Sequence, residues 1–187
     1  MSPELDNQLC DKYPKIFKDR HADMRTTAMC WGFETGPGWY NIIDRLCSNI
    51  QGHIDWRRKQ RLGDLRYNRA LKSALAGDSS RLTKYFSFGG EVTDYTKKSV
   101  EQEIARATYR TPSKVIPQVV AEQVKEKFGG LRFYYRGGDQ YIEGLVAMAE
   151  SMSYATCEEC GNSGKPNKGG WIRTLCTTHR PETQVDE

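Results

Sequence analysis

QVVAEQVKEKFGGLRFYYRGGDQYIEGLVAMAESM, residues 118–152, changes its hydrophobic period halfway along, and that change decides the fold class. Leu131 to Tyr135 is aromatic and extended in propensity, which favours a strand. Ahead of it Val120, Val124 and Phe128 alternate loosely, so Gly129-Gly130 would make the turn of a hairpin. A helix is the competing reading of residues 117–128, because Pro117 suits a helix start and Gly129 a helix end, with Glu, Gln and Lys between. The hairpin is preferred. After Gly137-Gly138, Asp139 can cap a helix whose Tyr141, Ile142, Leu145, Val146, Ala149 and Met152 form one apolar face. The prediction is an α+β chain, with amphipathic helices packed on a small antiparallel sheet or hairpin.

Toward the N-terminus, Trp39, Ile42, Ile43, Leu46, Cys47, Ile50 and Ile54 follow the i, i+3, i+4, i+7 spacing of an amphipathic helix. It is expected over about residues 38–60, ending on Arg57-Arg58-Lys59, where cations suit the helix dipole. In CWGFETGPGWY, residues 30–40, three glycines and a proline break regular structure while the aromatic residues demand burial. The first 25 residues begin polar and hold a short helix or turn around Tyr13, Ile16 and Phe17. Residues 62–113 read as short helices with little apolar surface, punctuated by Gly77 and Gly89-Gly90, with Asp78 or Ser79 as a cap.

Toward the C-terminus, Cys157-Glu-Glu-Cys160 is followed by Gly161, and Cys176-Thr-Thr-His179 comes fifteen residues later. Two cysteines two residues apart place both sulfurs on one ion, and a Cys3His set fills a tetrahedral zinc shell without an open position. Cys157, Cys160, Cys176 and His179 are therefore expected to hold one structural Zn2+ in a treble-clef-like finger, with Trp171, Ile172 and Leu175 as its small core. The loop NSGKPNKGG, residues 162–170, has no apolar residues of its own to form a core, so metal binding is expected to fold it. The expected organisation is an aromatic loop and helix (1–61), a helical insertion (62–116), a hairpin and helix completing the core (117–155), and the finger with its tail (156–187).

A chain of 187 residues, 37% hydrophobic and 28% charged, can bury a core without disulfides. No apolar run reaches the roughly 18 residues of a membrane span, and the N-terminus lacks a signal-peptide core, so a cytoplasmic location is expected. Six cysteines in that compartment read as thiols and metal ligands. The net charge is +4, but residues 56–72 hold seven basic residues against Asp64, a local excess of +6.

CWGFETGPGWYNIIDRLCSNIQGHIDW, QVKEKFGGLRFYYRGGDQYIEGLVAMAE, CEECG and GWIRTLCTTH together resemble a widespread family of small uncharacterised phage and prophage proteins. The resemblance covers roughly residues 9–60 and 117–181, with a variable insertion between them. It implies phage origin, action in the cytoplasm of an infected bacterium and a zinc-stabilised C-terminus, and it supplies no catalytic residues.

Three functions follow as expectations. The first is binding of nucleic acid or a nucleotide, with Arg57, Arg58, Lys59, Arg61, Arg66, Arg132, Arg136, Lys168 and Arg173 attracting phosphate and Tyr134 offering a stacking face. Solvated helix ends and core aromatics are the plainer alternative for the same residues. The second is a host-takeover or counter-defence role, binding a host protein or sequestering a nucleotide signal, with residues 31–40 as a pocket wall or as buried packing. The third and weakest is an enzyme, a metal-dependent nuclease first. His21 beside Asp19 or Asp23, and His53 on the long helix, come without a nucleophile motif or an open metal site.

Overall fold

The computed structural model describes residues 1–167 and 170–180. Five helices run α1 Pro3–Lys12, α2 Tyr40–Leu75, α3 Ser80–Ser87, α4 Asp94–Arg106 and α5 Gln140–Ser153. The strands are β1 Phe33–Glu34, β2 Val120–Lys127, β3 Gly130–Arg136, β4 Lys165–Pro166 and β5 Thr174–Leu175. The chain is thus mixed α+β. Its contacts divide it into two compact units, Met1–Ile54 with Ile116–Glu187, and Asp55–Val115. No helix among the described residues is long and apolar enough to cross a membrane.

In the first unit all seven apolar positions predicted on the long helix, Trp39 to Ile54, are buried. They meet Leu9, Ile16 and Phe17 from the N-terminal segment, Val124, Leu131 and Phe133 from the sheet, and Ile142, Val146 and Ala149 from α5. The sheet is mixed: β2 and β3 form the expected antiparallel hairpin, while β1 joins β2 in parallel. The helical alternative for residues 117–128 is therefore overturned from Val120 on. Asp139 caps α5 through the Ile142 amide. On α5, however, Tyr141 and Met152 are exposed, so the apolar face is narrower than its sequence pattern.

The hairpin turn lies one residue earlier than predicted, on Phe128 and Gly129, whose φ angles are +53° and +77°. Positive φ at both central residues is the two-residue turn whose twist matches the strands. Gly130 instead opens β3, where a Cβ would come within 2.4 Å of the Tyr154 ring. The open edge of β3 is closed by α5: the Leu131 amide donates to Ser153 Oγ at 2.8 Å and the Phe133 amide to Glu150 Oε1 at 3.0 Å. Side chains thereby satisfy an edge that would otherwise pair with another strand.

The second unit corrects two expectations. Helix α2 does not stop near residue 60 but continues to Leu75, so the expected boundary at 61/62 falls inside it. No proline interrupts this stretch, and Tyr67, Ala70, Leu71 and Ala74 resume a buried stripe at helical spacing. Nor is the unit poor in apolar surface, because those residues pack with Leu82, Val100, Tyr85, Phe86 and Ile104 in a core of their own. Gly77, at φ +99°, ends α2, and Asp78 Oδ1 accepts from the Ser80 amide at 3.0 Å at the start of α3.

Candidate metal centre and basic cleft

Cys157, Cys160, Cys176 and His179 converge, with one ligand atom from each lying within 4.8 Å of the others. Cys157 Sγ lies 3.6 Å from His179 Nδ1, Cys160 Sγ lies 3.7 Å from Cys176 Sγ, and Cys176 Sγ lies 3.2 Å from His179 Nδ1. Local turns bring each pair together. The Gly161 amide, at φ +78°, donates to the Cys157 carbonyl at 2.9 Å, and the His179 and Arg180 amides both donate to the Cys176 carbonyl at 3.1 Å. The donor set and its spacing fit a bound metal ion.

Cys157 and Cys176 of the cluster differ chemically from Cys10 and Cys47, while against the pull of the Asn162 amide burial and the neighbouring thiols raise Cys160. Burial opposes ionisation of Cys176, yet its hydrogen bonds with His179 and the neighbouring thiols bring it down to about 6. Burial likewise opposes the Cys157 thiolate, and backbone amides lower it nonetheless. Contact with Cys176 and then Cys157 raises His179. By contrast burial, reinforced by Asp6, pushes Cys10 up to about 12, and burial drives Cys47 well above its usual range. Cys157 and Cys176 thus separate from Cys10 and Cys47 by environment.

The aromatic loop seats this cluster on the core. Trp39 is buried and its indole Nε1 donates to the Thr156 carbonyl at 2.8 Å. The Gly38 amide donates to the Glu158 carbonyl at 2.7 Å, and the Gly36 amide to Glu158 Oε1 at 2.9 Å. A Cβ on Gly38 would lie 2.2 Å from the Cys157 carbonyl oxygen, so the backbones meet because position 38 has no side chain. Trp31, expected to be buried, is exposed. The expected finger core is also corrected: Leu175 is buried, but Trp171 and Ile172 face outward.

The proposed cations divide sharply. Arg173 is held by Glu158 and Glu159, Arg136 by Asp19 at 2.5 Å and Glu122 at 3.3 Å. Arg132 Nη2 donates to Tyr154 Oη at 2.7 Å, with Glu150 at 3.9 Å. Of the helical run, Arg58 lies 3.9 Å from Asp55, Arg61 donates to the Ser113 carbonyl at 2.5 Å, and the half-buried Arg57 has its Nε shielded from water. Lys59 is exposed, and Lys168 lies outside the described residues.

Arg66 belongs to a different arrangement. Together with Arg69 from α2, and Arg81 and Lys84 from α3, it rings a cleft of about 450 Å³ floored by Ala70 and Tyr85 and edged by Phe88 and Gly89. No carboxylate lines this cleft, and among the described residues none of the four cations has a carboxylate within 4.0 Å. Arg110 fixes the floor, donating to Tyr85 Oη at 2.9 Å while lying 3.9 Å over the Tyr67 ring. Sequence reasoning named Arg66 but missed Arg81, Lys84, Tyr85 and Phe88. Their signal is the i, i+3 spacing of Arg81 and Lys84 on a short helix that follows a basic one.

His53 Nε2 lies 3.0 Å from Asp139 Oδ2 and its ring stacks on Tyr141 at 4.4 Å, while His21 is exposed. Comparison of the chain with family models, with characterised proteins and with solved structures finds no match, so the functional reading rests on the chemistry of these sites.

Proposed function

We propose that this is a zinc-stabilised nucleic-acid-binding protein, in which the Cys/His cluster holds one structural Zn2+ and the cleft of the helical unit takes phosphate. Tetrahedral zinc with bonds of about 2.3 Å to sulfur and about 2.0–2.1 Å to nitrogen has S···S edges of about 3.8 Å and S···N edges of about 3.5 Å. The separations of 3.7 Å for Cys160 to Cys176 and 3.6 Å for Cys157 to His179 agree with these edges, while Cys176 to His179, at 3.2 Å, is shorter. A knuckle, the β4–β5 ribbon and a second ligand pair just after β5 support a treble-clef-like finger. Four protein donors leave no open position, so zinc here holds the fold, and a metal-dependent nuclease would lack its water site in this cluster.

The observation that carries binding is the ring of Arg66, Arg69, Arg81 and Lys84 around an aromatic floor without a carboxylate. Cations without a carboxylate within 4.0 Å remain available to phosphate, and Tyr85 and Phe88 offer apolar faces beside them. The resemblance to phage and prophage proteins makes an infected bacterium the expected setting. Affinity for duplex DNA should fall with salt at a log–log slope near −0.9 per phosphate engaged. A salt-independent affinity, or one unaltered by reversing Arg66 and Arg69, refutes the assignment.

A protein partner is the second reading, favoured by a different feature. Leu145, Met148 and Met152 on α5 face Ile42 and Leu46 on α2 across an apolar groove of about 240 Å³, with both methionines exposed. Flexible methionine surfaces suit protein recognition. Such binding would survive the charge reversal and be lost in Met148→Glu.

A further inference from the structure

A second aromatic surface, in the first unit, has no part in the cleft described above. Phe128 at the hairpin tip and Trp171 in the finger loop are 67% and 77% exposed. With Ile172, Gly170, Lys125 and Lys127 they line an open cleft of about 440 Å³. Tyr134, 42% exposed, continues the surface along the outer face of the hairpin, opposite Gln123 in the strand register. Cations alternate with the rings: Lys125 Nζ lies 5.7 Å from the centre of Tyr134, and Lys127 Nζ lies 5.5 Å from that of Phe128. Neither lysine has a carboxylate within 4.0 Å among the described residues, and Glu126, which also borders the cleft, accepts from the Gly129 amide at 2.6 Å.

The backbone at the tip is unfavourable for the residue it carries. Phe128 has φ +53°, at a turn position where asparagine or glycine is the usual occupant. A bulky residue held in the left-handed region, with its ring turned to water, is strain that the fold itself does not require. Gly129 keeps the tip against the finger, since a Cβ there would come within 2.9 Å of Ile172 Cγ2. The metal cluster and the hairpin thus present Trp171 and Phe128 side by side.

We infer that Tyr134, Phe128 and Trp171, with Lys125 and Lys127, form a stacking platform for an unpaired segment of nucleic acid. Bases have apolar faces that stack on exposed rings whatever their sequence, and their phosphates need cations at the spacing of successive nucleotides, which interleaved lysines supply. Duplex bases are already stacked and offer nothing to such rings, so the platform selects single strands. It rests on the nucleic-acid reading above but uses none of the residues of the basic cleft.

The test is fluorescence anisotropy of the full chain with a short labelled oligothymidylate and with a random-sequence duplex. Trp171→Ala should weaken oligothymidylate binding by about tenfold or more and leave the duplex affinity unchanged. Phe128→Gly should weaken it similarly while raising Tm, because glycine relaxes the turn; a residue kept for folding alone would not separate the two readouts. Wild-type affinity for the oligothymidylate in both variants overturns the platform and leaves the cleft standing. Loss confined to the platform variants, with Arg66→Glu/Arg69→Glu silent on both probes, overturns the cleft and leaves the platform. Failure of the unaltered protein to bind oligothymidylate refutes the platform, as does a polypeptide ligand that depends on Trp171 in its place.

Discussion

The two units of this chain present contrasting groups of arginines. Arg20, Arg132, Arg136 and Arg173, all in the first unit, are each placed against carboxylates. Arg66, Arg69, Arg81 and Lys84, all in the second, ring one cleft without any. At about 4 Å and an effective dielectric near 20, an opposite charge is worth about 4 kcal/mol to a cation before desolvation. A guanidinium so held is not free for phosphate without losing that interaction. The number of basic residues along a sequence therefore overstates the positive surface it presents.

The largest test of this division removes what holds the first unit's C-terminus. Among the described residues the buried apolar cluster of the finger is Cys157, Leu175 and Cys176, two of them candidate ligands, so a bound metal would supply most of its stability. Structural zinc contributes roughly 10–16 kcal/mol of apparent free energy at sites of this kind. Cys176→Ser should release one zinc ion in native mass spectrometry and collapse amide protection over residues 156–167 and 170–180. Protection of α3 and α4, whose core is separate, should persist. A variant without metal that keeps its C-terminal protection would show that the cluster is not a fold determinant.

Next in size is the contrast in charge itself. Arg66→Glu with Arg69→Glu should lower nucleic-acid affinity by roughly a hundredfold and reduce the salt slope by about two. Arg136→Gln, which alters an exposed cation already engaged by Asp19 and Glu122, should change neither. Equal losses from both substitutions would mean that pairing does not withdraw an arginine from the surface, and the distinction between the units would dissolve.

What the sequence made visible follows the same divide between local and distant partners. The Cys/His cluster was legible because each of its pairs lies within one turn, and the first stretch of α2 because Trp39 to Ile54 repeats at helical spacing. The rest of α2 was hidden: Trp56 and Leu62 are exposed and interrupt the stripe, so the basic run beside them resembles a helix end. The fate of the arginines could not be read, since Arg136 meets Asp19 across 117 residues and Arg132 meets Glu150 across a helix packed on the sheet. Trp171 misled for another reason, because hydrophobicity alone does not separate a ring that fills a core from one that faces a ligand.

A smaller effect tests whether pairing stabilises the first unit. Asp6 Oδ2 lies 2.9 Å from Arg20 Nη2, and Arg20 Nη1 reaches the Cys30 carbonyl at 2.9 Å, tying α1 to the aromatic loop. Burial disfavours the Asp6 carboxylate, but the hydrogen bonds and charge of Arg20 outweigh it and hold its pKa below the usual carboxylate value. The sign follows: the stabilisation is complete above the unfolded aspartate pKa of about 3.9 and disappears as pH falls through the lower folded value. Asp6→Asn should therefore cost about 2 kcal/mol at neutral pH, and its urea midpoint should converge with that of the unaltered protein in acid. A gap that does not close in acid would assign the loss to packing.

The smallest effect probes a backbone feature that both clefts share. Phe88, like Phe128, is a phenylalanine at positive φ, here +52° at the end of α3, and it is 95% exposed. Helix ends of this conformation are normally glycine, and a residue with a Cβ there costs about 1 kcal/mol. Phe88→Gly should recover part of that, roughly 0.5 kcal/mol after the greater unfolded-state entropy of glycine is allowed for. Because Phe88 edges the ring of four cations, the same substitution should weaken nucleic-acid binding a few-fold without changing the salt slope, since it removes a stacking face and no charge. Stability up and affinity down would show that strain at this helix end is retained for ligand contact. Stability up with affinity untouched would leave phosphate attraction as the whole of the second unit's chemistry, and stacking as a property of the first unit alone.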